Sequence, residues 1–298
     1  MPHDRPLLGI LLMLGFCVLA PLGDSIAKLV GDRVPLDQLL VIRFAFQASI
    51  LLPFVWFTHR TLAMSPRLIR LTAIRTVLHI AGIGCMFTAL RYLPIADAIA
   101  IAFVMPFIML LLGKYVLGEE IGPHRLSASI IGFLGTLLVI QPNFAAVGAP
   151  ALLPLAVAVI FALFMLVTRQ MAKEVDPISL QAMSGLMGSA VLIPVALFLR
   201  PDTGLIPPSP ADWPLLIALG TLGTLAHLLM TWSLRFAPAA TLAPMQYLEI
   251  PFATLIGWAI FNDLPNGLAS AGIAVTIGAG LYVIARERHV AVTPPPAP

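Results

Sequence analysis

The chain reads as a succession of apolar runs, each about 20 residues long, separated by short polar stretches. A membrane-crossing helix needs roughly 20 predominantly apolar residues. By that measure ten candidate spans stand out, near 7–30, 37–57, 69–90, 95–116, 126–143, 151–170, 178–199, 212–235, 239–261 and 267–285. The fifth is the shortest. The connections, such as "FTHRTLAMSPR", "GEEIGPHR", "KEVDP", "RPDTGLIPPSPAD" and "NDLPNG", are polar, and none is long enough for a soluble domain. The first segment, "MPHDRPLLGILLMLGFCVLAPLG", has the charged start and apolar stretch of a signal peptide. Its apolar character continues past Pro21 towards Val30, so it is read as a retained first helix. The Pro-rich tail, residues 289–298, is expected to be disordered and cytoplasmic.

Composition supports the same solvent. The 298 residues are 59% hydrophobic and 10% charged, with a mean hydropathy of +0.98. A soluble globular chain is nearer 45–50% apolar and about 25% charged. The net charge of +3 does not indicate nucleic acid, because the basic residues punctuate apolar runs instead of clustering on a polar face. Cys17 and Cys85 both fall in apolar stretches, which gives neither a disulfide framework nor a metal site. No cofactor is implied.

Lys and Arg orient the chain. With the N-terminus inside, Arg5, Arg60, Arg67, Arg70, Arg75, Lys114, Arg125, Arg169, Lys173, Arg235, Arg286 and Arg288 fall on the cytoplasmic side. Only Lys28, Arg33, Arg91 and Arg200 fall opposite, and Arg43 lies within a span. Both termini are therefore expected in the cytoplasm, with the chain in the cell (inner) membrane.

The chain also repeats itself. "ALRYLPIADAIAIAFVMPFIMLLLGKYVLGEE" (Ala89 to Glu120) aligns with "SLRFAPAATLAPMQYLEIPFATLIGWAIFNDL" (Ser233 to Leu264). Arg91 meets Arg235, Pro94 meets Pro238 and Glu119 meets Asp263, all 144 apart, while Pro106 meets Pro251 at 145. Apolar likeness alone would not align this polar punctuation. Each copy holds five spans, an odd number, so the copies must run inverted to one another. The expected fold is an all-α membrane protein of ten transmembrane helices, built as two inverted five-helix repeats, residues 1–145 and 146–288. Inverted repeats are a frequent construction of secondary transporters, with substrate bound near the midplane between the halves. Pro106, Pro244 and Pro251 interrupt backbone hydrogen bonding at membrane depth, which is tolerated where protein or a cavity re-satisfies it.

The repeat unit, with "ALRYLP…A…MPF…LLLG…LGE" followed by "SASIIGFLGTLLVI", resembles the EamA domain of the drug/metabolite transporter superfamily. The resemblance covers roughly residues 7–287 as two tandem units, and "IRFAFQASILLP" in the second span is similar too. It implies a ten-helix carrier whose central cavity is lined mainly by the first four helices of each half, with the fifth peripheral. Two departures stand out. The first helix, "FCVLAPLGDSIAKL", lacks the tryptophan many members carry, and Asn262-Asp263 stands where Gly-Glu is usual. The Asp24–Lys28 pair resembles that of members proposed to carry S-adenosylmethionine or riboflavin.

Polar residues at membrane depth are the functional candidates. Glu249 is the deepest acid, and an ionised carboxylate there costs about 2.5–3.5 kcal/mol by insertion scales. It is read as a proton carrier or as the group that meets a substrate cation, with Asp24 as a second proton-coupling acid. Carbonyls freed by Pro251 are expected to favour a cation beside it. The substrate-binding set is Glu249, Gln246, Tyr247, His79, His227, Trp232 and Arg43. On a continuous helix Gln246 would share the face of Glu249. The Gly- and Ala-rich "SASIIGFLG" and "ASAGIAVTIGAG" read as close helix packing.

Metalloprotease, nucleophile-elbow and phosphate-loop motifs are absent from the sequence, so an enzyme is not indicated. The expected function is secondary active transport of a small polar or aromatic metabolite, such as an amino acid or a nucleoside-like compound, by a monomer in the lipid bilayer. Proton coupling is compatible with the acids at depth. The alternative is a channel or facilitator for small solutes, which also needs polar residues at depth.

Overall fold

A computed structural model describes residues 5–118, 122–140, 148–198, 207–262 and 267–292. The described residues form helices joined by short turns and loops, with no strand among them. The helices are α1 (Pro6–Val30), α2 (Leu36–Phe57), α3 (Pro66–Ala89), α4 (Ile95–Ala102), α5 (Met105–Leu117) and α6 (Pro123–Ile140) in the first half. After a 3-10 turn at Ala149–Ala151 come α7 (Leu152–Met171), α8 (Pro177–Phe198), α9 (Trp213–Phe236), α10 (Ala239–Gln246), α11 (Glu249–Phe261) and α12 (Gly267–Val292). Glu119, Glu120 and Asp263, which the repeat alignment uses, lie outside the described residues.

Proline and serine set many of the starts. Pro66, Pro123, Pro177 and Pro214 fall in first turns, where the missing N–H is no loss. Ser65 caps α3 by accepting the Leu68 N–H at 3.3 Å. The fourth and ninth sequence spans are not continuous helices as expected. Each is a pair of half-helices, broken at Phe103–Val104 and at Tyr247–Leu248. The cause is Pro106 and Pro251, which cannot donate to the carbonyls of Ala102 and Tyr247 and whose rings crowd them. The breaks are 144 residues apart although the prolines are 145 apart, because Pro106 is the second residue of α5 and Pro251 the third of α11.

The far ends of these half-helices also correspond. Gly118 ends α5 at φ 66° and Asn262 ends α11 at φ 58°, both left-handed. Asparagine is one of the few non-glycine residues that visits this region readily. That accounts for Asn262 where the repeat otherwise carries glycine.

The dominant packing pairs join a helix before residue 141 to one after 148: α1 with α9, α3 with α7, α2 with α8, and α6 with α12. The α6–α12 pair is close-packed as its small residues predict. A Cβ at Gly135 would stand 3.0 Å from the Gly272 carbonyl oxygen.

Ion pairs tie the halves at both ends of the bundle. Arg33 meets Asp212 at 2.8 Å at one end, while Arg67–Glu174 at 2.9 Å and Arg60–Asp176 lie at the other. The outward faces carry exposed large apolar side chains, among them Trp56, Phe57, Tyr115, Leu134, Phe198 and Leu255. A soluble monomer rarely presents so much apolar surface. Among the described residues, seven helical segments are long and apolar enough to cross a membrane, one of them running through the Phe103–Val104 break, and shorter apolar helices accompany them. This is a multi-pass membrane protein. Helix α12 continues to Val292, four residues into the segment expected to be disordered, and 293–298 lie outside the described residues.

Candidate functional site

A cavity lies between the halves, lined by residues of both. Its lining comes from α1 (Phe16, Ala20, Asp24), α3 (Gly82, Ile83, Met86), α4 and the first break (Ile99, Ala102, Phe103), α5 (Met105), α7 (Val157, Phe161), α9 (His227) and α11 (Glu249). Among the described residues neither α6 nor α12 contributes to this lining; the family resemblance implies a peripheral fifth helix in each half. Along α1, α3 and α7 most of the lining residues lie in the half nearer the Arg33–Asp212 end. The cavity is therefore displaced towards that end, and packed side chains fill the bundle towards the Arg67–Glu174 end.

Two carboxylates face this space. Asp24 and Glu249 both line it and repel one another electrostatically. Neither has an ion pair or a side-chain hydrogen bond among the described residues. Glu249 is the first residue of α11. The expectation that carbonyls freed by Pro251 surround it is therefore corrected: the break precedes Glu249, and the carboxylate sits at the positive end of a half-helix dipole. Met105, 144 residues earlier, opens α5 in the same way and also lines the cavity. The second copy thus replaces a thioether with an acid at a shared position.

Behind these acids lies Arg43, which is 2% exposed and attracts Asp24 electrostatically. Its guanidinium donates to Gln47 Oε1 at 3.2 Å and lies 3.1 Å from His227 Nδ1. His227 Nδ1 is also 3.0 Å from the Gly223 carbonyl oxygen. With a proton it donates to Gly223; without one it accepts from Arg43. Gly223 makes this possible, since a Cβ there would stand 2.1 Å from Arg43 Nε.

Aromatic rings complete the wall and floor. Phe161 stacks on Phe16 at 6.1 Å and on Phe164 at 5.1 Å. His79 lies behind this layer, 4.2 Å from the His227 ring centroid and 4.8 Å from Phe164. Both His79 nitrogens and His227 Nε2 lack a hydrogen-bond partner among the described residues.

The structure thus brings Glu249, Asp24 and His227 to the cavity, with Arg43 and His79 directly behind. It does not bring the other three candidates there. Gln246 ends α10, so the break removes the shared face with Glu249, and its amide donates to Met109 Sδ at 3.5 Å and Met165 Sδ at 3.4 Å. Tyr247 is fully buried in the break, 5.6 Å from Phe103 and close against Gly132. Trp232 packs with Leu51, Val55 and Leu228, away from the lining. Arg75, counted from sequence among the basic residues of the cytoplasmic side, is not a surface charge. It is fully buried inside the bundle, more than two turns beyond the Pro66 start of α3. Sequence reasoning missed Gly223, Phe16 and Phe161 as well, since a glycine or phenylalanine in a span carries no polar signal.

Comparisons with known proteins agree with this architecture. An S-adenosylmethionine uptake transporter of Rickettsia prowazekii (strain Madrid E) is 25% identical over 271 residues, covering 91% of this chain and 90% of that one. A riboflavin transporter of Rhizobium johnstonii is 29% identical over 213 residues, covering 72% and 69%. A crystal structure superposes with a TM-score of 0.72 at 19% identity, covering 96% of this chain and 98% of the other, and so shares the fold. These relatives are transporters, not enzymes. The EamA-like transporter family matches residues 7–141 and again residues 149–286. With both halves matched, the chain belongs to the EamA-like transporter family.

Proposed function

We propose that the protein is a secondary active transporter that moves a small polar or aromatic metabolite, an amino acid or nucleoside-like compound, by alternating access. The observation that carries this reading is a cavity between the halves, holding two carboxylates with no ion-pair partner among the described residues, an Arg43–His227 floor and phenylalanine walls. Such a site matches a compound with a cationic group and a flat ring. Carboxylates meet the cation, and ring faces accept a flat ring or a cation. S-adenosylmethionine, carried by one relative, joins an amino acid to a nucleoside, which agrees with that class.

Ten spans in two inverted repeats, residues 1–145 and 146–288, fit the breaks and left-handed ends spaced by 144. The pairing of α1 with α9 and of α3 with α7 supports the same relation, since each pair exchanges the first and third helices of the two halves. The protein acts as a monomer in the cell (inner) membrane with both termini in the cytoplasm. The cavity then lies nearer the outer side, and the Arg67–Glu174 end faces the cytoplasm. Glu249 is neutralised either by a proton or by the substrate's cationic group. Competition between the two at one carboxylate couples proton release to substrate binding, with Asp24 as the second acid.

Glu249→Gln tests the coupling, because it keeps the side chain's shape and polarity but cannot ionise. In proteoliposomes the variant is expected to fold, lose proton-driven accumulation and retain substrate exchange. Accumulation with wild-type dependence on the proton gradient in Glu249→Gln would remove the coupling role.

A further inference from the structure

Arg75 is a fully buried cation on α3, with no carboxylate partner among the described residues. Its guanidinium donates to Thr168 Oγ1 of α7 at 2.9 Å, Ser184 Oγ of α8 at 2.8 Å, Gln181 Oε1 of α8 at 3.3 Å and Thr231 Oγ1 of α9 at 3.3 Å. It also stacks 4.5 Å over the Phe164 ring. Every one of these partners belongs to the second half, while Arg75 belongs to the first. Burying a charge against neutral acceptors alone is costly. A bridge made only for stability would be better served by an apolar side chain.

Its position suggests what the charge does. Thr168 and Thr231 lie in the last turns of α7 and α9, and Gln181 and Ser184 in the first turns of α8, all towards the Arg67–Glu174 end. This is the end away from the cavity, where buried side chains fill the bundle. The network also continues to the cavity floor. Gln181 accepts from Gln47 Nε2 at its carbonyl, at 2.7 Å, and at Oε1, at 3.3 Å, while Gln47 accepts from Arg43. One path of hydrogen bonds therefore runs His227–Arg43–Gln47–Gln181–Arg75.

We propose that Arg75 is a positioning residue that latches the closed end and ties it to the cavity floor. Opening that end must separate α3 from α7, α8 and α9, and so must break the bonds Arg75 makes. A ligand that draws Arg43 or His227 towards the cavity pulls on Gln47 and Gln181, and thereby loosens the same latch. The proposal rests on the alternating-access reading but concerns which end is open, so its test needs no substrate.

The test uses two single-cysteine reporters in a Cys17→Ala, Cys85→Ala background. Thr72→Cys lies one turn from Arg75 on the same face towards the closed end and is buried; Ala20→Cys lines the cavity. Labelling rates with a soluble maleimide are compared with and without Arg75→Gln. Losing the charge-assisted bonds predicts a rise of about tenfold or more at Thr72→Cys and a fall at Ala20→Cys. Ser184→Ala with Thr231→Val, which keeps Arg75 but removes two acceptors, should move both reporters in the same directions by less. That pair decides the matter should Arg75→Gln not fold. Unchanged labelling at Thr72→Cys, or faster labelling at both reporters together, would overturn the latch, the second outcome signalling general loosening.

Discussion

Gly223→Ala is the sharpest small perturbation the site offers. The added methyl would stand 2.1 Å from Arg43 Nε, 2.4 Å from Cζ and 2.6 Å from Nη2. Arg43 is 2% exposed, and to make room for the methyl its guanidinium must leave its bonds to Gln47 and His227. Two hydrogen bonds to a charged donor are together worth about 3–6 kcal/mol. Replacing glycine by alanine inside a helix returns about 1 kcal/mol. The expected net loss is about 2–5 kcal/mol of unfolding free energy, measured in mixed micelles titrated with dodecyl sulfate. Gly257→Ala in α11 is the control: a methyl added there would meet nothing within 4 Å, so it should gain about 0.5–1 kcal/mol. Gly223→Ala as stable as wild type would refute the close packing of Arg43 on α9, and with it the floor.

Other consequences follow from placement. Phe161→Ala should weaken substrate binding while Trp232→Ala should not, because Phe161 lines the cavity and Trp232 packs outside it; isothermal binding to both purified variants separates them, and equal effects would move the site. Reporter fusions within 60–65 and after Arg288 should report cytoplasm, and one within 201–211 the opposite side; a cytoplasmic signal at 201–211 would break the inverted arrangement.

Much of the helix plan was legible because the bilayer demands long apolar runs, and proline and charge mark their ends. The repeat was legible because polar punctuation survives where apolar residues interchange. The half-helix breaks were only partly so. Pro106 and Pro251 announced an interruption, but a proline disturbs the carbonyl four residues earlier, which places the break before Glu249 and reverses the polarity of the backbone facing it. The same shift removed Gln246 from the face of Glu249. Arg75 was misread because counting charges along a chain treats an arginine near a helix start as surface. Its partners, Thr168, Gln181, Ser184 and Thr231, are short polar side chains from three helices over 90 residues away, a convergence that only the fold creates.

The central claim is that a cavity between the halves carries a metabolite by alternating access, and counterflow tests it most directly. A ligand found by thermal stabilisation of the purified protein is loaded at high concentration inside proteoliposomes, and its labelled form is added outside at trace concentration. The account predicts transient uptake of label above equilibrium, saturable in the outside ligand and lost in a variant that cannot bind it. Uptake that rises linearly with outside concentration and never overshoots would contradict it and leave a channel.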